Sequence, residues 1–185
     1  SNTDCDDGTP CTIDACVSGR CQYQRAQLPA CVGRVLVLGA GDGDGDGELY
    51  ILDAQTLQPV AGSPVTLDGT VLQMDTSNKT QQVWIAADNT PNIQSVDPFA
   101  PFEYLPGPVP ASGPTRWVTV DDQRGIALAM HTDGTVRSYA LDSSALLVNG
   151  VILPPHSGAP LLDPATGWLY IPTSTGHLRL LDGWS

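Results

Sequence analysis

Four stretches of this chain superimpose at a period of about 43 residues, and that repetition restricts the fold more than any single motif does. The clearest column reads Leu49, Ile93, Val136 and Leu178. Three positions later stand Leu52, Val96, Tyr139 and Leu181, followed by Asp53, Asp97, Ala140 and Asp182. An earlier column runs Val35, Val83, Ile126 and Leu169. Each unit thus carries two short apolar or alternating runs about ten residues apart, which is the signature of paired strands and not the spacing of a helix. No amphipathic stretch at helical spacing exceeds about two turns. The 19 Gly and 16 Pro suit many tight turns between short strands.

A repeat of roughly 40 to 50 residues in an all-β chain points to propeller blades, four-stranded antiparallel sheets set around an axis. Inner blade strands are covered on both faces by neighbouring blades and should be apolar throughout. Val35-Leu36-Val37-Leu38, Val83-Trp84-Ile85-Ala86, Ile126-Ala127-Leu128-Ala129 and Leu169-Tyr170-Ile171 fit that role as second strands. The third runs, Val136-Arg137-Ser138-Tyr139 and Leu178-Arg179-Leu180-Leu181, admit polar residues, as expected farther from the axis. Asp133-Gly134 and Thr175-Gly176 supply the hairpin turns between them.

The fold class expected is therefore all-β, a partial or small (about four-bladed) β-propeller with a short disulfide-rich N-terminal module. The module and its linker occupy 1–31, and the propeller-like repeats occupy 32–185 in units of about 32–70, 71–113, 114–158 and 159–185. Units two and three hold four strands each, whereas unit one lacks a first strand and unit four a fourth. The edges so exposed would be closed by the N-terminal segment, by another copy or subunit, or by further blades of a longer chain.

A formal charge of -12 with only 8 Lys+Arg disfavours nucleic acid and anionic lipid, which would be repelled. No apolar run approaches the roughly 18 residues that span a bilayer, so membrane insertion is not expected. The chain opens without a basic and apolar leader, so an export signal would be removed or lie outside this sequence.

Cys5, Cys11, Cys16 and Cys21 crowd into a segment with almost nothing to form a core, and Cys31 follows. Zinc favours pairs of ligands two to four residues apart; the intervals here are five, four and four residues, with no nearby His. The spacing therefore favours disulfides, which persist only in oxidising compartments, and the expected location is secreted, cell-surface or periplasmic. With an odd cysteine count, one thiol stays free or bridges to another chain.

Residues 4–21, D-C-D-D-G-T-P-C-T-I-D-A-C-V-S-G-R-C, resemble the CTDC-type cysteine-rich repeat of slime-mould extracellular matrix proteins, matching at Cys5, Asp7, Gly8, Pro10, Cys11, Thr12, Asp14, Cys16, Gly19 and Cys21. The resemblance implies an extracellular, structural or adhesive setting and carries no catalytic residue. The segment Asp163-Pro164-Ala165-Thr166-Gly167-Trp168-Leu169-Tyr170, with the T-G-x-L-x-x-L-D run after it, is similar to repeats of YVTN-type and quinoprotein-like propellers. That likeness implies the fold and no activity.

The first unit spans fourteen residues from Val35 to Leu49 where units two and three span ten, and the excess is Gly41-Asp42-Gly43-Asp44-Gly45-Asp46-Gly47-Glu48. Asp42, Asp44 and Asp46 alternate as in the D-x-D-x-D-G opening of calcium loops, with Gly47 where such loops turn sharply. Glu48 and Asp53 complete the candidate metal set, Asp53 standing at the twelfth position where an EF-hand-like loop carries Glu. A structural calcium site and a flexible acidic hairpin tip are both open readings.

His131, His156 and His177 are scattered and read as surface or hairpin residues. Trp84 and Trp168 fall in inner strands and read as core, while Trp117 and Trp184 flank strands. No haem-attachment motif, nucleotide fingerprint or nucleophile elbow is present. With no catalytic constellation, the expected protein is a non-enzymatic structural or interaction protein that presents a propeller rim or open sheet edges to a protein partner or to other copies of itself. The alternatives are a calcium-dependent carbohydrate-binding propeller and a propeller-type enzyme or redox subunit.

Overall fold

The period-two runs become strands. The computed structural model describes residues 12–17, 20–25, 33–41, 45–90, 93–99, 104–106, 113–152 and 158–182, and among these there are sixteen strands and no helix. β1 (Thr12–Val17) and β2 (Arg20–Arg25) pair as a hairpin in which Cys16 and Cys21 are direct register partners. Cys5, Cys11 and Cys31 lie outside the described residues.

The remaining strands form four antiparallel meanders. The first sheet is β3 (Arg34–Gly39), β4 (Gly47–Asp53) and β5 (Val65–Leu67); the second is β6 (Thr70–Thr76), β7 (Val83–Asp88), β8 (Gln94–Val96) and β9 (Tyr104–Pro106). The third is β10 (Thr115–Asp121), β11 (Ile126–His131), β12 (Thr135–Ala140) and β13 (Leu146–Ile152); the fourth is β14 (Leu161–Asp163), β15 (Trp168–Pro172) and β16 (Leu178–Asp182). Among the described residues the first sheet thus lacks an opening strand and the fourth a closing one. Gly134 and Gly176, both at positive φ, turn β11 into β12 and β15 into β16, a backbone region that costs glycine least.

The sheets stack face to face in chain order. Leu36, Leu38, Leu49, Ile51 and Leu67 of the first meet Val83, Ile85 and Val96 of the second. On the other side of the second sheet, Trp84, Ala86 and Ile93 meet Val118, Ala127, Ala129 and Tyr139 of the third. Leu128, Met130 and Val136 on the third sheet's far side then meet Leu169 and Ile171 of the fourth. Cross-sheet packing concentrates on the opening strands, with β10 against β6 and β7, and β14 against β10. This arrangement is a partial β-propeller whose sheets do not close on themselves.

Side chains alternate across a strand, so coverage can be read from burial. Every residue of β11 and all but the last of β7 are buried, because both faces of those sheets are covered. β4 and β15 instead alternate between buried and more open positions, because the end sheets have one covered face. The first column of the repeat keeps its phase through this arrangement. Leu49, Ile93 and Val136 all turn toward the following sheet.

Two expectations change. β12 was expected to open up with distance from the axis, yet Arg137 and Ser138 are 5% and 4% exposed, since the second and fourth sheets flank it on both sides. Ile126 also breaks its column. Ala127 and Ala129 face the second sheet and Leu128 faces the fourth, so strand alternation turns Ile126 toward the fourth, opposite to Val83 and Leu169.

Polar clamps fix neighbouring sheets to each other. The Asp75 carboxylate on β6 accepts from the backbone N–H of Val120 at 2.8 Å and from the Thr119 hydroxyl on β10. Asp122 accepts from the Ser77 hydroxyl at 2.6 Å and the Asn78 N–H at 2.8 Å. Gln94 both donates to the Asp68 carbonyl and accepts from the Asp68 N–H, tying the second sheet to the connection from the first. Arg124, ion-paired to Asp121 at 2.7 Å, donates across to the Thr166 carbonyl before β15.

Candidate interaction surface

Among the described residues, each end of the stack presents a sheet face that no other sheet covers. On the first sheet, the register pairs Val35 with Leu52 and Val37 with Tyr50, and these four side chains point away from the second sheet. Val35 and Val37 are 36% and 44% exposed. On the fourth sheet, Tyr170 pairs with Leu161 and Leu180, and Pro172 with Leu178, all on the side opposite the third sheet. Here Leu161, Leu178, Leu180 and Trp168 are 69%, 58%, 49% and 39% exposed. Large apolar side chains exposed together on one sheet face make that face a candidate contact surface.

β3 and β15 carry the same uninterrupted apolar runs as β7 and β11. Their sequences are those of strands buried on both faces, while the stack covers one. The mismatch is what makes these two faces stand out. Trp168, expected in the core from its place in a second strand, is the clearest case: it falls on the uncovered side because Leu169 takes the side facing the third sheet. Trp84 is fully buried, Trp117 packs beside Leu128 and Met130, and Trp184 lies outside the described residues.

The acidic groups beside these faces are held within the chain. Glu48 on β4 accepts from the Tyr50 hydroxyl at 2.6 Å, which holds that phenol above its ordinary range. Asp163 accepts from the Thr166 hydroxyl at 2.7 Å and the Ala165 N–H, and these hydrogen bonds lower its pKa. The outer strand β13 adds a further apolar edge, with Leu147, Val148 and Ile152 53%, 55% and 79% exposed. Its pairing with β12 is interrupted by register shifts, a device that blunts an open edge.

The residues of the candidate calcium loop part company. Asp42 and Asp44 lie outside the described residues. Asp46 is exposed and accepts from the Gly69 N–H at 3.2 Å. Gly47 is not a turn residue: it opens β4, and a Cβ there would collide with the Val71 side chain. Asp53 closes the same strand at its far end, where its carboxylate accepts from the Thr56 and Gln55 N–H groups and the Thr56 hydroxyl and pairs with Arg34 at 3.7 Å. Those bonds lower the Asp53 pKa, that from the Thr56 N–H most of all. Among the described residues no three His, Cys, Asp or Glu side chains converge as a metal site.

His131, expected at the surface, is fully buried at the end of β11, its Nδ1 3.2 Å from the Gly113 carbonyl oxygen. Burial lowers its pKa. His177 is exposed and His156 lies outside the described residues. A pocket of about 170 Å³ opens between Arg34 and Phe99, and another of about 300 Å³ lies at the edge of the third sheet beside Lys79, Arg124 and Asp142.

No protein-family model matches this chain, and no curated protein sequence matches it. Solved structures do share its fold. The chain is similar to the computationally designed Ika4 protein, with a TM-score of 0.60 and 14% identity over 80% of this chain and 84% of that one. It is similar to the β-propeller domain of Cps50 (Swd1) from Myceliophteria thermophila, with a TM-score of 0.54 and 12% identity over 94% of this chain and 64% of that one. A chain of a nidogen/laminin complex matches with a TM-score of 0.54 and 13% identity over 80% of this chain and 56% of that one. These likenesses establish the β-propeller architecture. The chain spans less than two thirds of the Cps50 domain and of the nidogen/laminin chain that it matches.

Proposed function

We propose that this is a secreted or cell-surface structural and interaction protein, without catalytic activity, that engages protein through the uncovered faces of its end sheets. The observation that carries the reading is the fourth-sheet face, where Leu161, Trp168, Leu178 and Leu180 share one side, with no sheet over them among the described residues. Burying such side chains is the main favourable term in protein association. The nidogen/laminin match supports the reading by analogy, since it is named as a complex of proteins.

The extracellular setting rests on the cysteine-rich segment and its resemblance to CTDC-type repeats. Alkylation of the unfolded, unreduced protein tests it: at most one thiol should react, and five reactive thiols would contradict an oxidising location. Replacing Leu178 and Leu180 by Glu tests the interaction surface. The variant should keep its fold and lose the protein contacts that the unmodified chain makes in chemical cross-linking of its native medium; an unchanged cross-linking pattern would remove the fourth-sheet face from the account.

A further inference from the structure

We infer that the fourth-sheet face of one copy docks on the first-sheet face of a second copy, head to tail, so that two chains close an eight-sheet ring. The inference rests on the reading that the end faces are interaction surfaces, and it names their occupant. In the first three repeats the column of Leu49, Ile93 and Val136 faces the following sheet, and in the second and third repeats the column of Val96 and Tyr139 faces the preceding one. Among the described residues, Leu178 continues the first column with no sheet after it, and Leu52 continues the second with no sheet before it. Each end of the stack therefore carries the half of an inter-sheet contact that the other end is built to receive.

The three contacts within the chain are the template for the fourth. At the first junction, Leu49 and Ile51 pack on Val83, Ile85 and Val96. At the proposed junction, Leu178, Leu180 and Trp168 would pack on Val35, Val37 and Leu52, which belong to the same columns and have similar bulk. Because the two surfaces differ, the contact is heterologous, and repeated rotation either closes a ring or runs on as a filament. Two copies bring together eight sheets, within the roughly four to eight blades over which propellers close. Closure makes the second contact intramolecular once the first has formed, which strengthens the pair without new chemistry.

Each chain carries a net -12, so copies repel in most orientations. Apolar side chains carry the contact against this repulsion; beside the two faces, Glu48 accepts from Tyr50, and Asp163 accepts from Thr166 and Ala165, within the chain.

Sedimentation velocity with light scattering tests the inference on the full chain, using a first-face variant (Val35→Glu with Val37→Glu) and a fourth-face variant (Leu178→Glu with Leu180→Glu). The unmodified chain should have the mass of two copies at micromolar concentration, more firmly as salt screens the repulsion. Each variant alone should be monomeric with an unchanged far-UV spectrum. Mixed one to one, the two variants should pair through their remaining intact faces, at least about a hundredfold more weakly than the unmodified chain because only one contact survives. Should either double variant fail to fold, the single substitutions Val37→Ser and Leu178→Ser replace it, with the same pattern expected.

A first-face variant that still dimerises would mean fourth face on fourth face and would overturn the head-to-tail arrangement. A ladder of masses would overturn ring closure. A strictly monomeric chain that still shows cross-links lost in the fourth-face variant would overturn the second copy as occupant and leave the interaction reading standing; a monomer without such cross-links would overturn both.

Discussion

Leu49 and Leu178 hold the same place in the first and fourth repeats, and they differ in what lies over them: Leu49 is 0% exposed beneath the second sheet, and Leu178 is 58% exposed with no sheet beyond it. The repeat thus supplies a core side chain at a position that the stack leaves open.

The two positions should separate sharply on truncation. Leu49→Ala removes a fully enclosed side chain and should cost about 2–5 kcal/mol in urea unfolding. Leu178→Ala, measured in a background made monomeric by Val37→Glu, should cost about 1 kcal/mol or less. Equal costs would mean that the fourth sheet is covered within the single chain.

Gly47 on the first sheet lies directly against Val71 on the second. A Cβ there would press on both methyl groups of Val71. Gly47→Ala should therefore destabilise by about 1–3 kcal/mol through overpacking. A neutral effect would show that β4 and β6 are farther apart than described.

Asp75 holds β10 to β6 through the Val120 N–H and the Thr119 hydroxyl. Asp75→Ala should cost about 1–3 kcal/mol by leaving that N–H without its acceptor, and Asp75→Asn should recover part of the loss through its carbonyl oxygen. If the Asn variant is no better than Ala, the clamp is not what this carboxylate provides.

Stability should fall at high pH because of Tyr139, whose phenol is pushed up to about 12 from 10.0 by burial in the interface between the second and third sheets. A raised folded-state pKa means that the stabilisation is fully present below pH 10 and is lost as pH rises through about 12. Tyr139→Phe should flatten this alkaline limb of a denaturation series. At the acid end, the lowered carboxyls of Asp53 and Asp163 hold their contribution above the unfolded value of 3.8 and lose it as pH falls through their folded values. Asp53→Asn combined with Asp163→Asn should make stability less dependent on pH there, and an unchanged acid limb would place the loss elsewhere.

Strand positions were legible because side-chain alternation is local. Leu49, Ile93 and Val136 could be aligned from spacing alone, and all three occupy the same face of their sheets. Coverage was not legible, because it depends on which sheets lie on either side. Trp168 reads like Trp84 in sequence and ends up on an open face, and Arg137 reads as peripheral and is buried between two sheets. The acidic run suggested ligands by spacing, but Asp53 is carried to the far end of β4 by the extended backbone. The end faces could be foreseen only in part. The missing first and last strands implied open edges, whereas the larger apolar surface lies on the faces beside them.

The four sheets stack in chain order, the second and third enclosed and the first and fourth open on one side, and this order sets where the backbone is protected. Residue-resolved amide hydrogen exchange on a monomeric variant, Val37→Glu with Leu178→Glu, tests it most directly. The account predicts the slowest exchange in β7 and β11, with β3 and β16 exchanging far sooner at their unpaired edges. Protection that is uniform over the four sheets, or greatest in β3 or β16, would contradict it.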